Sequence, residues 1–449
     1  MSSATLAARW PFPLDDPYPE LRRLREESPV HWLPEFGAHL VVSHALATEV
    51  LHGSEWSSDP SYSPRLASRL PTGGAGGGLL AKSLLFSDPP DHSRLRRALS
   101  GWLTPRAVES SRHRIAAIAG AALAGHDAGD ALELMEDLAY TVPLAVICEL
   151  LEAPAKLAVR LREDTPRMVA LLDPLADAAA LQAGAAAAFS LLVELVPLIA
   201  ERRKRTGSDL LSALAKSSGD DSELEADEAI IMALLLLAAG HETTANLIGN
   251  AVAALHSHPG IARFLRRRPD QLQAAVEEFL RYDSPVQLAS RVARRDTPLG
   301  ETVVRRGEQV LVSLGAANRD PAAFSNPDRL DLGRQTRVHL AFGHGAHFCA
   351  GAALARVEAQ EVLRRLLDLA PPIEDRELTL ERDCSATFRR VNMLLLHRGH
   401  LNDTLTSKAD DRSTALPTAE ARAERSERMV HGHGSSAAPS CPALDLTGW

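Results

Sequence analysis

Cysteine is scarce in this 449-residue chain, with four in all, at positions 148, 349, 384 and 441. They have no paired spacing, which argues against a disulfide framework and for a reducing compartment. Long apolar runs are also missing. The longest, residues 229–240, has 12 residues, whereas a bilayer-spanning helix needs about 20. The N-terminal MSSATLAARWPFPLDDPYPE has no apolar h-region of the secretory kind. No G-x-G-x-x-G opens a βαβ unit, so no flavin or nicotinamide domain is expected. Positive charge is not in excess: the net charge is −9, which gives no reason to expect nucleic acid as a partner. These absences predict a cytoplasmic globular protein with no membrane or nucleic-acid partner. Arginine greatly outnumbers lysine, which we attribute to coding bias.

Hydrophobic periodicity lays out a helix-rich chain. Leu21 and Leu24 suit a short amphipathic helix that ends before Pro29. Short strands are expected near Val30 and over His39–Val42. Residues 56–87 read as irregular, and PTGGAGGG at 71–78 is a loop by composition. It is a passive linker or a lid over a pocket. From Pro90 to Ala200 the chain reads as mostly helical, with breaks at Gly125–Gly129, Pro154 and Asp173-Pro174. A helix from Ala226 to His256 would be roughly 45 Å long, enough to cross a domain. Its middle is apolar on every side, as in a core helix. Another helix covers Pro269–Tyr282, and strands follow near Leu288–Val292, Thr302–Val304 and Gln309–Leu314. Residues 401–449 are polar and poor in aromatics, and read as a disordered extension. The other reading of that tail is a partner-binding or pocket-capping segment. The domain expected to fold is residues 1–400.

The chemistry concentrates in FGHGAHFCAGAALAR, residues 342–356. Gly343 and Gly345 let the backbone turn sharply and approach a flat ligand. Residues 350–369 read as a helix, so Cys349 is expected at a helix N-terminus, where dipole and free N–H groups favour a thiolate. A lone cysteine is equally compatible with a small buried hydrophobe. Within the long helix, AAGHETTANLIG places Ala239-Gly240, a stretch almost without side chain, beside Glu242 and Thr243. These two polar groups in an apolar helix need a reason. Thr243 can back-bond to the i−4 carbonyl and Glu242 can pair with a nearby arginine; alternatively the two form a proton relay. In DPPDHSRLRRAL, residues 88–99, His92 and Arg96 lie four apart and share a face. They suit a pair of carboxylates, or belong to a solvated basic face. Arg291 in LASRVARRD is a further carboxylate clamp candidate.

The run Phe-Gly-x-Gly-x-His-x-Cys-x-Gly resembles the haem-binding loop of the cytochrome P450 family, with every fixed position filled. The resemblance covers about residues 10–398. It implies a mainly α fold with small β-sheets (α+β), a triangular helical prism around haem b (iron protoporphyrin IX). Cys349 would be the iron ligand. His92, Arg96, Arg291 and His347 would hold the two propionates, and Phe342, Gly343, Gly351, Ala239 and Gly240 would line the cofactor. Thr243 and Glu242 match the family's acid-threonine motif for oxygen activation. Glu278 and Arg281, with the later Arg329 of NPDRLDLGR, would form a buried structural triad. One departure is Ala350, where a bulkier aliphatic residue is common.

The implied activity is insertion of one atom of O2 into a hydrophobic small molecule by a soluble, monomeric haem-thiolate monooxygenase of secondary metabolism. Hydroxylation or epoxidation is expected. Electrons would come from a ferredoxin and ferredoxin reductase, docking near Arg94, Arg97, Arg364 and Arg365. Substrate would contact residues 60–86, Leu161–Leu175, Leu235–Ala239, Val286–Ser290 and Thr387–Phe388. Oxidative coupling, peroxide-driven chemistry, carrier-bound substrate and a non-catalytic haem protein remain alternative outcomes of the same pattern.

Overall fold

The structure is a computed structural model that describes residues 10–69, 82–124, 131–204, 207–218, 224–334, 338–369 and 371–398. The 71–78 glycine run and the 401–449 tail lie outside the described residues. In chain order the helices are α1 Tyr18–Glu27, α2 His44–His52, α3 Pro64–Arg69, α4 Asp91–Ala98, α5 Pro105–Ser110, α6 Arg112–Leu123, α7 Thr141–Leu150, α8 Ala155–Met168, α9 Ala178–Lys204, α10 Leu210–Lys216, α11 Ala226–Ser257, α12 Pro259–Arg267, α13 Leu272–Tyr282, α14 Leu314–Ala317 and α15 Ala352–Leu367. The strands are β1 Val30–Leu33, β2 Ala38–Val41, β3 Trp56–Ser57, β4 Leu132–Glu133, β5 Leu288–Ala293, β6 Thr297–Leu299, β7 Thr302–Val304, β8 Gln309–Ser313, β9 Arg376–Arg382 and β10 Val391–Arg398. They form a five-stranded sheet in the order β1-β2-β8-β5-β3, a three-stranded sheet β4-β10-β9 and a β6-β7 ribbon. Only the β2–β8 pairing is parallel among the described strands.

Helix α11 organises the molecule. Glu228 accepts the Glu225 N–H at 2.7 Å and closes a reciprocal cap at its start. Asp227 and Glu228 in the first turn complement the helix dipole, and Pro259 follows its end. Residues Ala229–Ala238 belong to one hydrophobic core, shared with α7, α8, α9 and α10. Residues Ala245–Leu255 belong to another, shared with α6, α13 and α15. The stretch between them, 239–244, joins neither core. The apolar packing of this helix therefore gives way at its centre to polar residues, of which His241, Glu242 and Thr244 are themselves buried.

Several expectations shift in detail. Residues 56–87 are not wholly irregular, because β3, a tight turn at Pro60–Tyr62 and α3 fall within them. By length and composition α9 and α11 are both long and apolar enough to cross a membrane, which the unbroken-run argument missed. Helix α11 buries 67% of its most apolar window inside the protein, as a core helix does. Helix α9 instead leaves Phe189, Val193 and Val196 on its outer side.

The expected break at Asp173-Pro174 is real and is tied down. Arg69 on α3 donates to the carbonyls of Asp173, Pro174 and Ala176 at 3.2–3.3 Å. The Asp173 carboxylate accepts from Ser385 Oγ and from the N–H groups of Thr387 and Leu175. Thr387 Oγ1 donates to the Leu172 carbonyl at 2.9 Å. Three segments far apart in sequence thus close on one another.

Candidate functional site

The cysteine loop is shaped by two left-handed residues. Gly343 and Gly345 both have φ of +71°, which side-chain-bearing residues rarely adopt. A Cβ on Gly345 would lie 2.8 Å from the Leu51 carbonyl oxygen, so the close approach made here is to the end of α2. The Gly343 N–H donates to Leu340 O at 2.8 Å and the Cys349 N–H to Phe342 O at 2.9 Å. The helix begins at Ala352 rather than at 350, with Gly351 as its cap. Gly351 has φ of −86° and contributes its N–H to the Cys349 sulfur.

Cys349 is exposed, yet burial raises its thiol pKa against the Gly351 N–H, Arg96 and Arg356. Both statements hold for a group lining an internal space. The expected helix-dipole stabilisation of the thiolate is thus overridden by lost hydration in the free thiol. Ala239 shows the same signature, being exposed at the middle of a helix that is otherwise largely buried. Thr243 and Leu236, on the same stretch of helix, are half-buried. Leu236 and Ala350, next to the sulfur, pack against the same two cores, which brings both open surfaces to one region. A Cβ on Gly240 would meet Ile147 of α7 at 3.4 Å, an ordinary contact.

Around this region the structure gathers nitrogen-bearing side chains, two of them the cations Arg96 and Arg291. His92 on α4 is buried, and its Nε2 has no partner among the described residues. Its ring centroid lies 4.1 Å from that of His347. His347 Nε2 shares a hydrogen bond with Ser58 Oγ at 3.0 Å. Burial, then Arg291 and His92, push the His347 pKa down to about 3. Arg291, on β5, donates to the Ser290 carbonyl at 2.8 Å, and burial lowers its pKa to about 10. Arg96 adds its field to both histidines. Asp88 is the carboxylate that opposes this charge, and Arg294 grips it at 2.6 Å.

Thr243 Oγ1 donates to the Ala239 carbonyl at 3.0 Å, the i−4 back-bond. Glu242 is fully buried and accepts from Arg390 Nε at 3.1 Å, while its Oε2 has no partner among the described residues. Arg390 in turn holds Asp383 at 2.6 Å, whose side chain is 38% exposed. Glu242 therefore forms a buried ion pair that leads toward solvent.

Residues 187–369 match the family model "Cytochrome P450". Cytochrome P450 monooxygenase PikC of Streptomyces venezuelae is 41% identical over 367 residues, covering 80% of this chain and 85% of PikC. The 6-deoxyerythronolide B hydroxylase of Saccharopolyspora erythraea is 36% identical, covering 86% of this chain and 94% of that enzyme. Among solved structures, Mycobacterium smegmatis CYP164A2 superposes with a TM-score of 0.79 at 36% identity, covering 87% of this chain and 98% of that one. P450BioI, in complex with a hexadec-9Z-enoic acid ligated acyl carrier protein, gives 0.79 at 32% identity, covering 86% and 98%. This chain belongs to the cytochrome P450 family. Members of the family bind haem, and the chain is a P450 oxidoreductase of the monooxygenase class. The residues present fit that group. Four nitrogen-bearing side chains converge, among them His92 with its orphaned Nε2, as a ligand edge carrying two carboxylates requires. A thiol opens onto the same region.

Two assignments from the sequence need correction. The third member of the structural triad is Arg334, not Arg329. Arg281 meets both Glu278 oxygens at 2.8 Å, and Arg334 Nε reaches the same carboxylate at 3.2 Å. Arg329 contributes only its carbonyl, to Arg281 and Arg334. Arg94 is half-buried rather than freely solvated, and it makes two 2.7 Å bonds to the buried Glu228. Sequence reasoning also missed Ser58, Arg390, and the Glu277–Arg356 pair behind the cysteine loop. No local motif marks any of them.

Proposed function

We propose that Cys349 is the thiolate ligand of haem b, that His92, Arg96, Arg291 and His347 clamp its propionates, and that the open face of α11 around Ala239 and Thr243 forms the distal wall. The observation that carries this reading is the convergence of four cationic or cation-capable donors with an open cysteine. When bound, haem supplies the O2 activation by which one oxygen atom enters an organic substrate, with two electrons and two protons taken up. Thr243 holds a hydroxyl proton at the open face, now given to the Ala239 carbonyl and free to turn toward that face. Glu242 stands one residue away, and its Arg390–Asp383 contacts extend to solvent, which suits entry of protons.

The substrate in this reading is a hydrophobic small molecule of natural-product metabolism, hydroxylated or epoxidised in the cytoplasm by a monomer. Ala239, Leu235, Leu236, Val286 and Phe388 give it apolar surroundings with Thr243 as the polar group. The relatives named as a 6-deoxyerythronolide B hydroxylase and as P450BioI with its hexadec-9Z-enoic acid ligated acyl carrier protein support this class. Electrons come from a ferredoxin and its reductase, docking near Arg97, Arg364 and Arg365.

The reduced carbon monoxide complex of the wild type should show the thiolate-type Soret band, and Cys349→His should move it to the histidine-type position. A wild type without the thiolate band would sink the assignment. In turnover driven by ferredoxin and reductase, Thr243→Ala should keep consuming reductant but release peroxide in place of product. Unchanged coupling removes Thr243 from the relay. Turnover sustained only by added peroxide removes the electron partners.

A further inference from the structure

Behind the cysteine loop lies a charged cluster that the reaction as described does not use. Arg356 on α15 grips the Glu277 carboxylate of α13 through two bonds, of 2.6 and 2.8 Å. Glu277 also shares a 3.1 Å hydrogen bond with His339 Nε2. The Arg356 guanidinium lies over the Phe342 ring, 4.5 Å from its centroid. The same ring touches His339 and Phe348, at centroid distances of 6.0 and 6.2 Å. Phe342 in turn accepts the Cys349 N–H through its carbonyl. Cation, ring and sulfur therefore belong to one connected structure.

An Arg–Glu pair at a surface is worth little and wanders. This one is fixed from three sides: by the two-pronged carboxylate, by the ring face and by the histidine behind the carboxylate. Burial would raise the Glu277 carboxyl, but Arg356 and His339 outweigh it and hold its pKa at about 2. At neutral pH it is an anion. Arg356 stands seven positions after Cys349 in the first turns of α15, and its charge is held over the ring of the residue whose carbonyl accepts the Cys349 N–H. Reduction of a thiolate-bound metal adds one negative charge to that centre. A fixed cation nearby favours the reduced form, and a fixed anion opposes it.

We propose that Arg356, stacked on Phe342 and anchored by Glu277 and His339, is a positioning residue that sets the reduction potential of haem iron bound at Cys349. The inference rests on Cys349 being the ligand, as proposed above.

The test is spectroelectrochemical titration of haem-loaded wild type, Arg356→Gln, Arg356→Lys and Glu277→Gln. Arg356→Gln should lower the midpoint potential, with the reduction equilibrium constant falling about three- to tenfold, ~30 to ~60 mV for one electron. Glu277→Gln should raise it, because the compensating anion is gone. Arg356→Lys keeps the charge and should stay within about twofold of wild type. Loss of a merely structural tie would move the two glutamine variants the same way, and that result overturns the proposal. Should Arg356→Gln not load haem, the opposite sign expected of Glu277→Gln still decides it. The reduced carbon monoxide spectrum separates the two layers. A wild type lacking the thiolate band overturns the ligand, whereas an intact band with unmoved potentials overturns the role of Arg356 alone.

Discussion

His347 sits among Arg291, His92 and Arg96, and burial with these neighbours moves its pKa from 6.5 to about 3. The unfolded chain takes up this proton near pH 6.5, and the folded chain only near pH 3. Between those values the unfolded state binds more protons, so stability falls as pH falls. Above the window the residue is neutral in both states and contributes nothing. His92 is shifted the same way, by burial and then by Arg96. An anion clamped by the four donors reverses their mutual repulsion. The haem-free protein should therefore lose thermal stability more steeply than the haem-loaded protein as pH falls below 6.5, and His347→Gln should flatten the haem-free curve. Equal slopes with and without haem would show that these donors do not meet the propionates. At this scale the sequence was most legible where the requirement is local. Cys349, Gly343 and Gly345 lie within seven positions, and two of them need φ values that few residues tolerate.

Helix α13 shows where local reading ends. Its Glu278 and Arg281 pair within one turn, so spacing alone finds them. Their third partner comes from a loop in which Arg329 and Arg334 are both candidates, and the backbone path past Asp331 decides between them. The Asp331 N–H donates to Glu278 at 2.9 Å, which turns the chain so that Arg334 points inward and is only 7% exposed. Arg329 is left exposed. Removing one member of a buried ionic cluster leaves uncompensated charge and costs about 3 kcal/mol or more. Arg334→Ala should destabilise the protein on that order, and Arg329→Ala by no more than about 0.5 kcal/mol. Denaturant unfolding of the two variants measures both. The Glu242–Arg390 contact is hidden for a related reason: 148 positions separate the partners, and no periodicity spans them.

Over the whole molecule, the extent of α11 was readable because its apolar surround, acidic first turn and terminal proline agree. The division of labour along it was not, since its two halves join different cores only in the folded chain. The same holds for the strand order β1-β2-β8-β5-β3, which joins the first strands to ones some 270 positions later.

The clamp around Asp173 carries a consequence for timing. Arg69, Leu172–Leu175 and Thr387 fall in three of the segments expected to touch substrate, and with the adjoining Ala176 and Ser385 they are bonded to each other. For a bulky molecule entering between these segments the bonds must part first, and opening rather than encounter would then be the slow step. In stopped-flow mixing with an azole, the observed rate should level off as ligand concentration rises, and Arg69→Ala should lift that ceiling. A rate that climbs linearly and identically in both proteins would show that the door is elsewhere. If the ceiling exists, admission to this enzyme is governed by a clock set by six hydrogen bonds.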